Sequence, residues 1–330
     1  MYPFVPIRKR KYGLKRFVLL LLMMLLVLSG CGARYASPMM ATSDAPYRIQ
    51  SVIDEKAFFD RSRDEGQLAI RYFHLTDREK SGDAILIESP DGEKMLIDAG
   101  YVPTGKKLDQ YLNRLDVSKL DVAVATHPHH DHIGGYLELL QTQEIGQLLM
   151  PDLSNRTSTY QKFMKLVEKN DIEVHYAEEG TNFMLGSSVQ IEVLNPPKGT
   201  TGKWAGSLNT AQMNNRCLVM KLTYGDRTFL FTCDIYRQAE HALTAKYTDQ
   251  LNVDVLHAPH HGDNTSSSIP FIYTVQPKVT LISSHERYSS RVYSSYEEAG
   301  SRVFMTGEHG NLLILTDGYD IQIVSQQDPD

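Results

Sequence analysis

Short runs of β-branched and aromatic residues recur along the chain, and their spacing sets the first expectation about the fold. Residues 68–74, 84–88, 95–98, 122–125, 147–150, 172–176 and 189–194 read as strands in the first half. Residues 217–222, 229–232, 253–256, 279–283, 311–315 and 321–324 do so in the second. Helical periodicity lies between them at 106–115, 135–141, 160–170, 238–247 and 295–299. Early strands connect through turns such as Pro90-Asp91-Gly92, whereas later ones alternate with helices. The mixture predicts an α+β body, two mixed sheets packed face to face with helices outside, in four layers αββα. The stretch 196–213, with Trp204, lacks periodicity and reads as a surface loop that could overhang a site. Tyr224-Gly225-Asp226-Arg227 reads as a hairpin turn. If Gly225-Asp226 is its two-residue loop, strand parity puts Cys217 and Cys233 on opposite faces and makes them separate, buried small hydrophobes.

The start of the chain follows a different pattern. Arg8, Lys9, Arg10, Lys11, Lys15 and Arg16 precede an unbroken apolar run at 17–28, and Leu28-Ser29-Gly30-Cys31 follows. The run is shorter than the roughly 20 residues a spanning helix needs, and suits a signal-peptide core. Small residues leading into a cysteine resemble a bacterial lipoprotein cleavage site. The expectation is a signal peptide over 1–30, then a lipidated Cys31 and flexible tether over 31–65, then one folded domain over 66–326, exported and anchored to the cell membrane. Removing 1–30 takes six of the 34 Lys and Arg and none of the 40 Asp and Glu, leaving 28 against 40, a net −12. So acidic a body argues against a stable, sequence-blind nucleic-acid complex. No protein partner is expected.

The chemistry concentrates at the end of the strand at 122–125. His127-Pro128-His129-His130-Asp131-His132-Ile133-Gly134-Gly135 follows it and leads into a helix. Alternation along an extended turn points His127 and His129 one way, with Asp131 and His132 toward a neighbouring position. Imidazole nitrogens and carboxylate oxygens in this density suit zinc. His130 fills a spacer position.

The run Thr-His-x-His-x-Asp-His-x-Gly-Gly resembles the signature of the metallo-β-lactamase superfamily, and the expected sandwich is of that type. Other stretches fall in the superfamily's order: Leu96-Ile97-Asp98-Ala99-Gly100, Phe229-Leu230-Phe231-Thr232-Cys233-Asp234 and Pro259-His260-His261-Gly262. Ser81-Gly82-Asp83-Ala84, Asn214-Asn215-Arg216-Cys217 and His260-His261-Gly262-Asp263-Asn264-Thr265-Ser266 are similar to the hydrolase domain of ComEC-type competence proteins. This resemblance implies two divalent metal ions, zinc first, with manganese or magnesium as substitutes. It puts His127 and His129 on one metal, Asp131, His132 and His260 on the other, with His261 as fallback, and Asp234 between them. Asp98 would support the metal loop. Asp131 would also orient the attacking water, and His261 and Asn215 would assist catalysis. The superfamily's third-motif histidine is missing, with Asn214 and Asn215 in that region, and Cys233 stands where a glycine is common. Its strand parity points that thiol away from the metals. A late Gly-His-Pro is replaced by Ser289-Ser290-Arg291, leaving the leaving-group acid among His257, His261 and His285.

The implied reaction is hydrolysis of a phosphoester or phosphodiester, in DNA, a nucleotide or a wall-linked polymer, by water activated between the two cations. Rival readings are amide or lactone hydrolysis of the β-lactam type, and a surface lipoprotein that binds metal without turnover. The anchor yields the first testable outcome. Cys31→Ala moves the protein from the membrane to the soluble fraction on ultracentrifugation, and a variant still sedimenting with membranes would refute lipidation.

Overall fold

The computed structural model describes residues 48–54, 56–77, 80–200 and 208–328. The expected signal segment, Cys31, the tether up to residue 47 and Trp204 lie outside the described residues. Among the described residues, no helix is long and apolar enough to cross a membrane.

Strand alternation builds two large sheets, beside a two-stranded ribbon of Thr76–Asp77 and Lys80–Ser81. The nine-stranded sheet runs in the spatial order Ile49–Ile53, Ile321–Ser325, Leu312–Thr316, Leu68–Tyr72, Ile85–Glu88, Lys94–Ile97, Lys119–Val124, Glu144–Met150 and Glu173–Tyr176. The seven-stranded sheet runs Asn182–Leu185, Val189–Asn195, Val219–Tyr224, Arg227–Phe231, Val255–His257, Val279–Ile282 and Arg302–Met305. Along Leu68–Tyr72, Leu68, Ile70 and Tyr72 enter the layer between the sheets, while Ala69 faces the helices. This period of two, buried on both faces, is why the strand reads as an almost continuous apolar run. Gly105–Arg114, Tyr136–Thr142 and Ser158–Lys169 cover one outer face. Arg237–Tyr247, Ile269–Val275 and Ser290–Glu298 cover the other. The result is the four-layer αββα sandwich.

Sequence boundaries hold to within a few residues for the long elements, and the differences have physical reasons. The expected tether, 31–65, ends early. Ile49–Ile53 adds a parallel edge strand to Ile321–Ser325, and Ala57 and Phe58 are buried. Arg71 fixes that segment from beneath: its Nε donates to the Phe58 carbonyl at 2.9 Å and one terminal nitrogen to both Asp64 oxygens at 2.9 and 2.8 Å. Two strands, Arg302–Met305 and Asn182–Leu185, were not expected from the sequence. At the hairpin, Tyr224 pairs with Arg227 around Gly225 and Asp226, as the turn residues require. In the stretch 196–213, Thr210–Asn214 forms a short helix with a capping box between Asn209 and Gln212.

Two glycines set how closely the site loops pack. A Cβ on Gly82 would lie 2.1 Å from the Asp131 carbonyl oxygen and 2.8 Å from the Gly100 Cα. One on Gly135 would lie 2.0 Å from the Ala99 carbonyl oxygen. Backbone bonds complete the interlock: Ala99 N to His132 O at 2.8 Å, Gly100 N to Asp83 O at 2.8 Å, and Gly135 N to Gly100 O at 3.0 Å. Gly82→Ala therefore forces rigid backbones apart and costs about 1–3 kcal/mol, read as a lowered thermal midpoint. An unchanged midpoint would mean that the loops are not locked together.

Candidate metal centre

The candidate donors follow strand ends, in loops or short helical turns such as His130–Ile133 and Pro259–Gly262, and those of both sheets converge on one buried cluster. The nine-stranded sheet contributes the ends of Lys94–Ile97 and Lys119–Val124, from which Asp98 and the 127–132 loop depart. From the seven-stranded sheet come the ends of Arg227–Phe231 and Val255–His257, leading to Asp234 and His261. A backbone bond from Leu218 N to Thr126 O, 2.9 Å, links the two sides.

Asp98 organises the first loop. Its Oδ1 accepts from the Thr126 amide at 2.8 Å and its Oδ2 from the Thr126 hydroxyl at 2.6 Å. The same Oδ2 lies 2.7 Å from His132 Nδ1. That contact leaves His132 Nε2 facing Asp234 Oδ2 at 3.1 Å. On the other side, His127 Nε2 stands 2.8 Å from His129 Nδ1 and 3.8 Å from the same Asp234 oxygen. His261 Nε2 lies 3.8 Å from Asp234 Oδ1 and 3.9 Å from Asp131 Oδ2, which is 3.9 Å from His132 Nε2. The donors thus divide into two neighbouring groups, His127 and His129 on one side and His132, Asp131 and His261 on the other. Asp234 stands between them.

These separations suit a cation. Two donors about 2.1 Å from a tetrahedral ion are about 3.4 Å apart. Asp234 Oδ1 and His261 Nε2 are buried without a hydrogen-bond partner, a cost that a bound ion removes. Electrostatics point the same way. Burial opposes charge on His132, yet the carboxylates of Asp234, Asp98 and Asp131 overcome it and hold the imidazole well above its ordinary value. For His261 burial is again outweighed, by Asp234 and Asp83, and its value is pushed up to about 10. Carboxylates this crowded call for positive charge. The residues present fit two divalent cations.

The Metallo-beta-lactamase superfamily pattern matches residues 77–285. The chain belongs to this superfamily. It is 24% identical over 212 residues to ComE operon protein 3 of Bacillus subtilis (strain 168), covering 63% of this chain and 26% of that protein. It is 26% identical over 237 residues to the competence protein ComA of Neisseria gonorrhoeae, covering 72% of this chain and 30% of that one. The chain thus spans less than a third of the length of these two relatives. A crystal structure of the metallo-β-lactamase fold protein YhfI from Bacillus subtilis aligns at 15% identity with a TM-score of 0.48, over 72% of this chain and 96% of that one. The protein is a metallo-hydrolase of the β-lactamase superfamily, with two groups of buried donors able to hold divalent ions, His127, His132 and Cys233 in one and Asp83, His132, Asp234 and His261 in the other.

Several expected roles change places in this superfamily member. His260 was expected on the second metal and His261 in reserve, but the structure brings His261 to the cluster. His260 was preferred for following the strand directly, but both residues are left-handed, at φ 50° and 55°, and the turn they make carries the second ring, not the first, into the cluster. His260 turns outward, its Nδ1 2.6 Å from the Thr265 hydroxyl and its ring 4.9 Å from that of Tyr236. Asn215 does not face the cluster. Its Oδ1 accepts from the amides of Tyr236 and Ala239 at 3.1 and 3.3 Å, capping the start of Arg237–Tyr247. Asn214 is the buried amide of the pair, with its Oδ1 unpartnered. Cys233 does not point away from the site, because at φ 49° it breaks strand parity. Its sulfur lies 2.9 Å from the Thr126 hydroxyl and 3.2 Å from His127 Nδ1, behind the ring whose Nε2 meets His129. Burial, then the neighbouring Cys217, pushes this thiol well up. The two cysteines are therefore neighbours rather than on opposite faces, and both are free and buried.

Sequence reasoning assigned no role to Asp83. It is buried, with Oδ1 3.6 Å from His261 Nδ1 and 3.4 Å from His257 Nε2, and those histidines help hold its carboxyl down at about 2 against the effect of burial. The signal was present, in an acid directly after the glycine of Ser81-Gly82-Asp83, but nothing local shows that this turn meets His261 across the cleft. His261 also places Nδ1 2.9 Å from the Ser283 carbonyl, which directs Nε2 inward.

Metal content separates the two adjacent histidines. After loading with Zn²⁺ and gel filtration, His261→Ala retains about one ion fewer per chain than the parent by mass spectrometry, while His260→Ala matches it. The reverse result would return the ligand role to His260.

Proposed function

We propose that this chain hydrolyses phosphoester bonds, most directly phosphodiesters, outside the cytoplasm while anchored through Cys31. The observation that carries this reading is Asp234 standing between two donor groups, which suits two adjacent cations. Such ions, when bound, supply a water ionised near neutral pH and positive charge against the oxygens of the reacting group. The chain's own residues do the rest. Asp131 is the donor carboxylate nearer the surface, with 19% of its side chain exposed against 2% for Asp234. It is placed to accept a hydrogen bond from the attacking water and orient it. Asp98, Thr126 and Cys233 hold His132 and His127 in single orientations, so little reorganisation accompanies the reaction. Zinc is the first choice from the imidazole-rich donors. The amide of Asn214, in place of the superfamily histidine, is a weaker donor and opens that side to manganese.

A phosphodiester carries its own negative charge, which a pair of cations neutralises and a neutral lactam does not need. The net −12 outside residues 1–30 favours a small or wall-linked phosphoester over tight binding of a long nucleic acid. Likeness to two competence proteins favours DNA instead, so a substrate panel decides. Full-length protein in detergent, loaded with Zn²⁺ or Mn²⁺, is offered bis-p-nitrophenyl phosphate, nitrocefin and single-stranded DNA. The expected result is turnover of the diester exceeding that of nitrocefin, lost on chelation and restored by metal. Asp131→Asn should lower it by about 10²-fold or more. Hydrolysis of nitrocefin alone would replace this reading with amide hydrolysis, and two bound ions with no turnover at all would make the protein a metal binder.

A further inference from the structure

Hydrolysis of an ester of an ordinary alcohol needs a proton for the departing oxygen, and the donor cluster provides no free acid. The histidines outside it narrow the choice. His257 is sealed beneath Asp83, 2% exposed. The His260 ring nitrogen is taken by Thr265, and His130 lies on the exposed side of the metal loop against Tyr101. His285 remains. It sits on the loop after Val279–Ile282, the third of three successive parallel strands, after Arg227–Phe231 and Val255–His257, whose ends feed the site.

His285 does not stand alone there. Its Nδ1 lies 3.2 Å from the Tyr288 hydroxyl, with the rings edge to face at 5.4 Å. Tyr288 is 41% exposed and lines one small cavity together with His261 and Gly262. We propose that Tyr288, held by His285, is the acid that protonates the leaving oxygen, replacing the late histidine missing from this chain. The inference rests on the phosphoester reading. If His285 Nδ1–H donates to the phenol oxygen, the phenol's own hydrogen is free to point into the site. The same bond strengthens as the phenolate forms.

The step balances. Hydroxide attacks phosphorus and forms one P–O bond. The P–O bond to the alcohol breaks, and its electron pair stays on the alcohol oxygen. That oxygen takes the Tyr288 proton, and the phenolate regains one from the next water, which supplies the next hydroxide. The surroundings keep the phenol protonated at neutral pH: partial burial raises it first, then the carboxylates of Glu286 and Asp131, against a contact with the Ser284 hydroxyl that lowers it.

An acid of this kind matters only when the leaving oxygen is strongly basic. The test compares full-length parent, Tyr288→Phe and His285→Ala, each metal-loaded, on two diesters. Bis-p-nitrophenyl phosphate releases a weakly basic nitrophenolate, and dithymidine phosphate releases a sugar alkoxide. Tyr288→Phe should cut kcat on dithymidine phosphate by about 10²-fold and leave the nitrophenyl diester nearly unchanged. His285→Ala should show the same asymmetry to a smaller degree. Metal content by mass spectrometry should match the parent in both variants. Equal losses on the two substrates, or none on either, would overturn the assignment, as would a parent confined to nitrophenyl leaving groups. A parent that hydrolyses nitrocefin and neither diester removes the phosphoester reading and the acid with it, an outcome visible before any variant is made.

Discussion

One carboxylate holds the metal loop in shape. Asp98 accepts from the Thr126 amide and hydroxyl and meets His132 Nδ1, all within 2.6–2.8 Å. It does so from a left-handed backbone, φ 57°, which costs about 1–2 kcal/mol for a residue other than glycine. Three charge-assisted bonds in a water-free setting are worth more than that penalty. Burial raises the Asp98 carboxyl, and His132 with the two Thr126 donors works against the rise. Removing any partner would leave an anion buried without compensation, so the arrangement stands or falls as a unit.

The same strained backbone recurs where the seven-stranded sheet hands side chains to the site. Cys233, His260 and His261 are all left-handed, at φ 49°, 50° and 55°. Each turns the chain sharply at a strand end, and the sharp turn brings Asp234 and His261 inward while turning His260 out. Backbone strain concentrated at a functional cluster persists because its surroundings over-determine it. Here the surroundings include the bond from His260 N to Cys233 O at 3.0 Å and the Ser283 carbonyl on His261.

This strain also marks the limit of what the chain's pattern reveals. The density of His127, His129, Asp131 and His132 after an apolar strand announces a metal loop, because ligand chemistry is written in residue types. Strand periods announce the two sheets, because a period of two survives any packing. The side taken by Cys233 rested on extending that period past the strand's end, and the choice of His260 over His261 rested on its place directly after a strand. Three left-handed residues in two turns cancel both. Asn215 misled for a different reason: its capping bonds to Tyr236 and Ala239 reach across more than twenty residues, and no local pattern carries them. Residues 48–65, polar enough to read as tether, are ordered by the distant Arg71 and by the strand Ile321–Ser325.

The placement of the site follows from the sandwich. Asp98 and the 127–132 loop leave one sheet, Asp234 and His261 leave the other, and neither sheet alone holds a complete donor group. The cluster therefore exists only when the sheets are packed, across the layer formed by Leu68, Ile70, Val124, Leu218, Phe229 and Val255. Any ion bound there favours the closed sandwich over every state in which the sheets part, so metal affinity and fold stability are linked. The linkage explains why so many backbone contacts, from Gly82 against Asp131 to Leu218 against Thr126, are spent on loops rather than on strands. Donors drawn from two sheets keep spacings of 3–4 Å only if the loops carrying them are as rigid as the sheets themselves.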